Sequence, residues 1–268
     1  MGDESEHGGA EGVGAEGGWE RDPLGRFGDR VADYVRHRPG YPPELMTLLG
    51  AREGLRVCEL GAGTGIFTAL LLEAGCEVAA VEPNDGMRGA LEGGLAFHPR
   101  LRVSAGRAEE TGLPDGGCDL VVAAQAFHWF EPAATHREAL RVLRPGGRGA
   151  LIWNARRVTG SALAEAYEAF LHVWGTDYGQ LSRRGVAADV TVFFGHAGWA
   201  HHRLDNHQVL DEAGFLGRLT SSSYVPAEDD PRRAPMLAAA RTLFGEHAER
   251  GVVRVDYDVD VYLGTLTP

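Results

Sequence analysis

The chain has 268 residues, a formal net charge of −12 and 44% hydrophobic residues, enough apolar material for one large α/β domain with an added lid. There is no Lys anywhere and no run of Arg, which argues against a nucleic-acid partner, against binding to anionic membranes, and removes any Schiff-base lysine. Three cysteines, Cys58, Cys76 and Cys118, lack metal-ligand spacing and read as buried reduced thiols of a cytoplasmic protein, and no apolar run approaches the ~20 residues of a membrane span.

Residues 1–20 are rich in Gly and Glu with almost no large apolar side chains; such a segment cannot offset its ordering entropy and is expected to be a disordered tail without an export pattern. From Leu55 onward, short apolar runs alternate with helical patterns. Leu55–Leu60 reads as a buried strand, Ile66–Ala74 as a helix ended by Gly75, and Glu77–Val81 as a second strand. Asp85–Leu95 follows as a glycine-weakened helix, Leu101–Ser104 as a third strand and Cys118–Ala124 as a fourth. Pro132–Leu143 has helical spacing and stops at Arg144-Pro-Gly-Gly147, a predicted turn into a fifth strand at Gly149–Trp153. Beyond Asn154, helices are predicted over Ser161–Trp174, Val209–Ser222 and Ala234–Glu249, and strands over Ala200–Asp205 and Val252–Leu263. The last alternates apolar with polar residues, as a half-buried antiparallel edge does. The alternation implies right-handed crossovers and a doubly wound, Rossmann-like, seven-stranded mixed sheet with helices on both faces and a helical lid.

Ligands of such sheets bind beyond the carboxyl ends of the strands. Directly after the first strand stands Glu59-Leu-Gly61-Ala-Gly63-Thr-Gly65. Glycines at alternate positions let the backbone turn sharply, and the next helix begins there with free N–H groups suited to an anion. Glu82 closes the second strand, 21 positions after Gly61, where a carboxylate can accept from both hydroxyls of a ribose. The spacing is G-x-G-x-G, not the G-x-G-x-x-G of the pyrophosphate fingerprint. An NAD(P)-dependent oxidoreductase, which shares the acid and a glycine turn, is the alternative enzyme class; a non-catalytic module that retains the pocket is the third.

Five segments taken together, VCELGAGTG, VAAVEPN, GRAEETGLPDGGCDLVV, AQAFHWF and VLRPGG, resemble the class I S-adenosylmethionine-dependent methyltransferases. The flavour is that of the small-molecule group that includes trans-aconitate and ubiquinone-pathway enzymes. The likeness covers about Tyr34 to Asn154. It implies that Glu59, Gly61, Gly63 and Gly65 line the methionine part of S-adenosylmethionine, that Glu82 holds the ribose, and that Ala108 and Glu109 flank the adenine. It places Gln125 against cofactor and substrate, and makes the segment around Tyr34, Arg38 and Tyr41 a lid in which Arg38 meets the methionine carboxylate or an acidic substrate.

His128, just past the fourth strand, is the candidate general base, since an imidazole takes a proton near neutrality; the competing reading makes it part of an aromatic wall with Phe127, Trp129 and Phe130. Tyr34, Tyr41, Trp129, Trp153 and Asn154 are the candidate substrate contacts. Residues 21–154 then form the cofactor-binding core, 155–200 a helical cover over a small-molecule substrate, and 201–268 the remaining helices and edge strands. No metal is expected: His201 and His202, being adjacent, would point to opposite faces of a strand.

Overall fold

A computed structural model describes residues 37–95, 97–176, 178, 186–195 and 198–267; the predicted tail and Tyr34 lie outside them. A short helix, α1 (Glu44–Leu49), precedes β1 (Arg56–Leu60), α2 (Ile66–Glu73), β2 (Glu77–Val81), α3 (Asp85–Gly94), β3 (Leu101–Ser104) and β4 (Cys118–Ala124). Then come α4 (Pro132–Val142), β5 (Leu143–Arg156), α5 (Ala162–Trp174), α6 (Val186–Phe194), β6 (Trp199–Leu210), α7 (Glu212–Thr220), α8 (Arg233–His247) and β7 (Val253–Gly264). Helix starts follow local chemistry: Asn84, Glu131, Ser161 and Asp211 each accept a backbone N–H from the first turn of α3, α4, α5 and α7.

The strands form one seven-stranded sheet in the order β3-β2-β1-β4-β5-β7-β6. β1 to β5 pair in parallel, and β7 is antiparallel to both β5 and β6. Leu45, Leu71, Leu91, Val57, Ile152 and Val259 share a cluster on one face; Cys58, Val121, Phe127, Val142, Phe193 and Phe194 share one on the other. A third cluster joins α5, α7 and α8 around Tyr257, Val255 and Val253 of β7, extending the first face past the end of the parallel strands. All three cysteines are buried and free. Among the described residues no helix is long and apolar enough to cross a membrane.

Three expectations are corrected. The Arg144–Gly147 segment does not form a turn ahead of β5; it lies within the strand as a bulge, where β4 advances two positions (Cys118 to Leu120) while β5 advances five (Leu143 to Arg148), with Gly146 at φ 77°. β6 runs on to Leu210, because Asp211 rather than an earlier residue caps α7. The alternating strand β7 is antiparallel as expected, but it lies inside the sheet, with β6 outside it at the edge.

Candidate active site

The strand order reverses between β1 and β4, so the loops after these two strands diverge and leave a crevice. The loop after β1 is locked onto β2: Gly61 and Ala62 donate N–H to the Val81 carbonyl at 2.8 and 3.1 Å. Gly61 has φ 65°, and a Cβ there would lie 2.6 Å from the Ala126 Cβ and 3.0 Å from the Phe130 ring. Only glycine allows the turn after β4 to come this close. At Gly63 (φ 59°) the same Cβ would meet nothing nearer than the Met87 sulfur at 3.9 Å, so this stretch of backbone is bare toward the crevice.

Glu82 is 6% exposed. Its two oxygens accept the N–H groups of Gly63 and Asn84, each at 2.8 Å. Burial raises its pKa against the pull of those amides and of Arg88. The carboxylate is therefore fixed in orientation, with lone pairs left over for a diol. Glu59, on β1, is buried, accepts the Thr68 hydroxyl at 2.7 Å, and has its pKa pushed by burial up to about 8. Two side-chain hydroxyls nearby, Thr64 Oγ1 in the glycine loop and Ser104 Oγ at the end of β3, are buried and have no hydrogen-bond partner among the described residues. Open space at Gly63, an oriented carboxylate and unspent buried hydroxyls suit a nucleoside with an amino-acid head group.

The loop after β3 is held by α4. Glu138 accepts the Thr111 N–H at 2.7 Å and its hydroxyl at 2.5 Å; the Arg141 guanidinium beside it holds its pKa near 2. This mount positions buried Ala108 and Glu109, whose Oε1 accepts the Glu131 N–H at 2.9 Å. After β4, Gln125 has φ 59° and its amide donates to the Asn154 carbonyl at 2.9 Å. A single 3-10 turn, Phe127–Trp129, follows. Phe127 anchors it, edge-on to Phe130, Trp153 and Phe193, leaving His128 and Trp129 partly buried with ring centroids 4.9 Å apart.

Thus Glu59, Gly61, Gly63, Gly65, Glu82, Ala108, Glu109, Gln125, His128 and Trp129 fall on the loops or strand ends around this crevice. Three others make contacts that the sequence did not announce. Arg38 is tied to the end of α7: its Nη2 donates to the Ser221 carbonyl, just past that helix, at 3.0 Å. Trp153 sits in the aromatic core, edge-on to Phe127 and Tyr262. Asn154 is buried and spent on structure: its amide donates to the Gly40 carbonyl at 2.8 Å, and its oxygen accepts from Asn206, which also donates to Gly40. Tyr41 packs edge-on against Phe67 at the start of α2. Residues 37–41 therefore form a strap, fastened to the sheet at Gly40 and to α2 at Tyr41. Sequence reasoning missed Thr68, Asn206 and the buried Arg156 and Arg218; a hydroxyl or an arginine on a helix carries no sign of what it faces.

Residues 58–151 match the model of the methyltransferase domain family. Over these residues the chain is similar to methyltransferase domains. An uncharacterized methyltransferase of Mycobacterium tuberculosis is 46% identical over 136 residues, 51% of this chain and 55% of that protein. An uncharacterized methyltransferase of Schizosaccharomyces pombe is 36% identical over 139 residues, 50% of this chain and 54% of that protein. The chain thus spans about half the length of these curated relatives. Over the whole fold, a presumed type II methyltransferase from Anaeromyxobacter dehalogenans superposes with a TM-score of 0.66 and 26% identity, covering 86% of this chain and 99% of that one.

Proposed function

We propose that this protein transfers a methyl group from S-adenosylmethionine to a small-molecule acceptor. The observation that carries the reading is Glu82, a buried carboxylate oriented by the Gly63 and Asn84 amides at the mouth of a bare glycine loop. When bound, S-adenosylmethionine supplies a sulfonium-activated methyl group, an electrophile that needs no further activation. The work left to the protein is binding, alignment and exclusion of water.

In this reading Glu82 takes the ribose hydroxyls, Glu109 and Ala108 the adenine, and the Gly61–Gly65 loop with Glu59 the amino-acid head group. Gln125 defines the boundary between donor and acceptor, since its amide is tied to β5. His128, on a turn pinned by Phe127, accepts the proton of a neutral hydroxyl or amine acceptor; an acceptor that is already ionised needs no base. Residues 155–200, of which 177, 179–185 and 196–197 lie outside the described residues, serve as part of the cover over the acceptor, and the protein works in the cytoplasm.

Titration calorimetry with S-adenosylhomocysteine tests the assignment. Glu82→Ala is expected to weaken binding at least twentyfold while the circular dichroism spectrum stays that of the parent, the loss of two charge-assisted bonds. Unchanged affinity in a folded variant would remove Glu82 from the donor site; absence of binding to the parent protein would end the reading.

A further inference from the structure

β6 closes one side of the sheet, and among the described residues no strand pairs with its outer edge. Its 12 residues, Trp199–Leu210, run against β7 in unbroken register. Hydrogen bonds between antiparallel neighbours alternate along a strand, so each residue directs both of its backbone groups to one side. The Arg157 N–H donates to the Asp256 carbonyl at 2.8 Å, so even positions of β7 serve β5 and odd positions serve β6. The Thr265 N–H, which donates to the Gly198 carbonyl at 3.2 Å, keeps the same phase. On β6, even residues therefore bond β7, while Trp199, His201, Arg203, Asp205, His207 and Val209 direct N–H and C=O outward. Of these outward N–H groups, the described residues engage that of His207, which donates to the Asn206 side-chain oxygen at 2.9 Å.

A long edge is a template for another strand, and proteins guard such edges with proline, lysine or a bulge. β6 has no proline and no lysine, and its register against β7 has no bulge. Its outward positions carry charges of both signs. Arg203 gives its Nε to Asp260 at 2.9 Å and keeps its Nη groups; Asp205 gives one oxygen to Arg157 and keeps the other. The two side chains are 57% and 89% exposed.

A second β6 added antiparallel must set odd residues opposite odd residues, since only these have backbone groups to exchange. A two-fold axis at Arg203 or at Asp205 would set like charges face to face. Axes nearer either end leave part of each strand unpaired. An axis at Leu204 sets Arg203 opposite the partner's Asp205, and Asp205 opposite the partner's Arg203, and uses the strand from end to end. The same register lays Val209, 59% exposed, against the partner's Trp199. We propose that two copies of this chain pair edge to edge through β6, about a two-fold axis at Leu204, so that one sheet runs through the dimer.

Sedimentation of the parent protein at about 100 µM is expected to give a dimer, as suits a small, polar interface. The amides of Trp199, His201, Arg203 and Asp205 are expected to be protected from hydrogen exchange in that sample. Arg203→Asp and Asp205→Arg each set like charges across the axis, and each is expected to weaken dimerisation at least tenfold. Mixed in equal amounts, the two variants are expected to dimerise again, because every reversed charge then meets its opposite on the other copy. Such recovery in trans separates a contact between copies from damage within either fold. A monomeric parent, whether or not its edge amides are protected, would overturn the proposal. So would a dimer whose edge amides exchange freely, folded reversals that dimerise like the parent, or a mixture of folded variants that stays monomeric. Should either variant fail to fold, sedimentation and exchange on the parent decide alone.

Discussion

Glu59 shows how a single residue links the donor site to stability. It is buried in β1 beneath the glycine loop, and burial raises its pKa from 4.5 to about 8, with the Thr68 bond opposing and Glu82 adding to the rise. Between those values the folded protein keeps a proton that the unfolded chain has released, so this residue's contribution is complete below pH 4.5 and is lost as pH approaches 8. Glu59→Gln removes that dependence. Its stability relative to the parent is expected to be near zero at pH 5 and to grow by up to about 4 kcal/mol at pH 8.5, at 1.36 kcal/mol per unit, read by urea unfolding. A constant difference across that range would show that the carboxyl ionises normally. Glu59, Glu82 and the glycines were legible in the sequence because a strand followed by a turn fixes their place locally. The core packing of Trp153 was not foreseen because spacing says which element holds a side chain but not which neighbour it turns to. Arg218 was passed over because an arginine within a helical pattern reads as part of a solvated face.

At the level of the element, α4 acts as the mount of the loop after β3. Glu138 fixes Thr111, and Glu131 both caps the helix and meets Glu109. Glu138→Ala is expected to cost about 2 kcal/mol, the order of hydrogen bonds to a charged group, and to weaken S-adenosylhomocysteine several-fold, although residue 138 lies outside the crevice. Unaltered affinity by calorimetry would mean that the loop keeps its shape unaided. Strands β2, β3 and β4 matched their expected bounds, since each is a short apolar run between turn residues. The Pro-Gly-Gly bulge escaped notice because those residues announce a break in the ladder without saying whether the chain turns or swells. Val209 and Leu210 were assigned to a helix on apolar spacing alone; the cap at Asp211 overrides it.

For the molecule as a whole, the sheet order sets the crevice beside the antiparallel strands, and the strap at residues 37–41 is tied to both β5 and β6. Its fastening is the Gly40 carbonyl, which receives both Asn154 and Asn206. Replacing both asparagines by Ala is expected to expose this strap to limited proteolysis and to reduce acceptor turnover at least tenfold, with S-adenosylhomocysteine affinity within threefold; Asn206→Ala alone leaves one bond and should do much less. A strap still resistant to protease in the double variant would show that Tyr41 and Phe67 suffice to hold it. The class of fold was readable from alternating strands and helices, whereas the position of β7 between β5 and β6 depends on long-range pairing that no local period encodes.

The buried cations at the end of β5 and on α7, Arg156 and Arg218, are guanidiniums in a chain without a single ammonium side chain. Such groups do not surrender their protons in water at any pH a protein survives. The positive charge held inside the fold is therefore permanent: alkaline conditions can quench a histidine or a lysine, but here they change nothing.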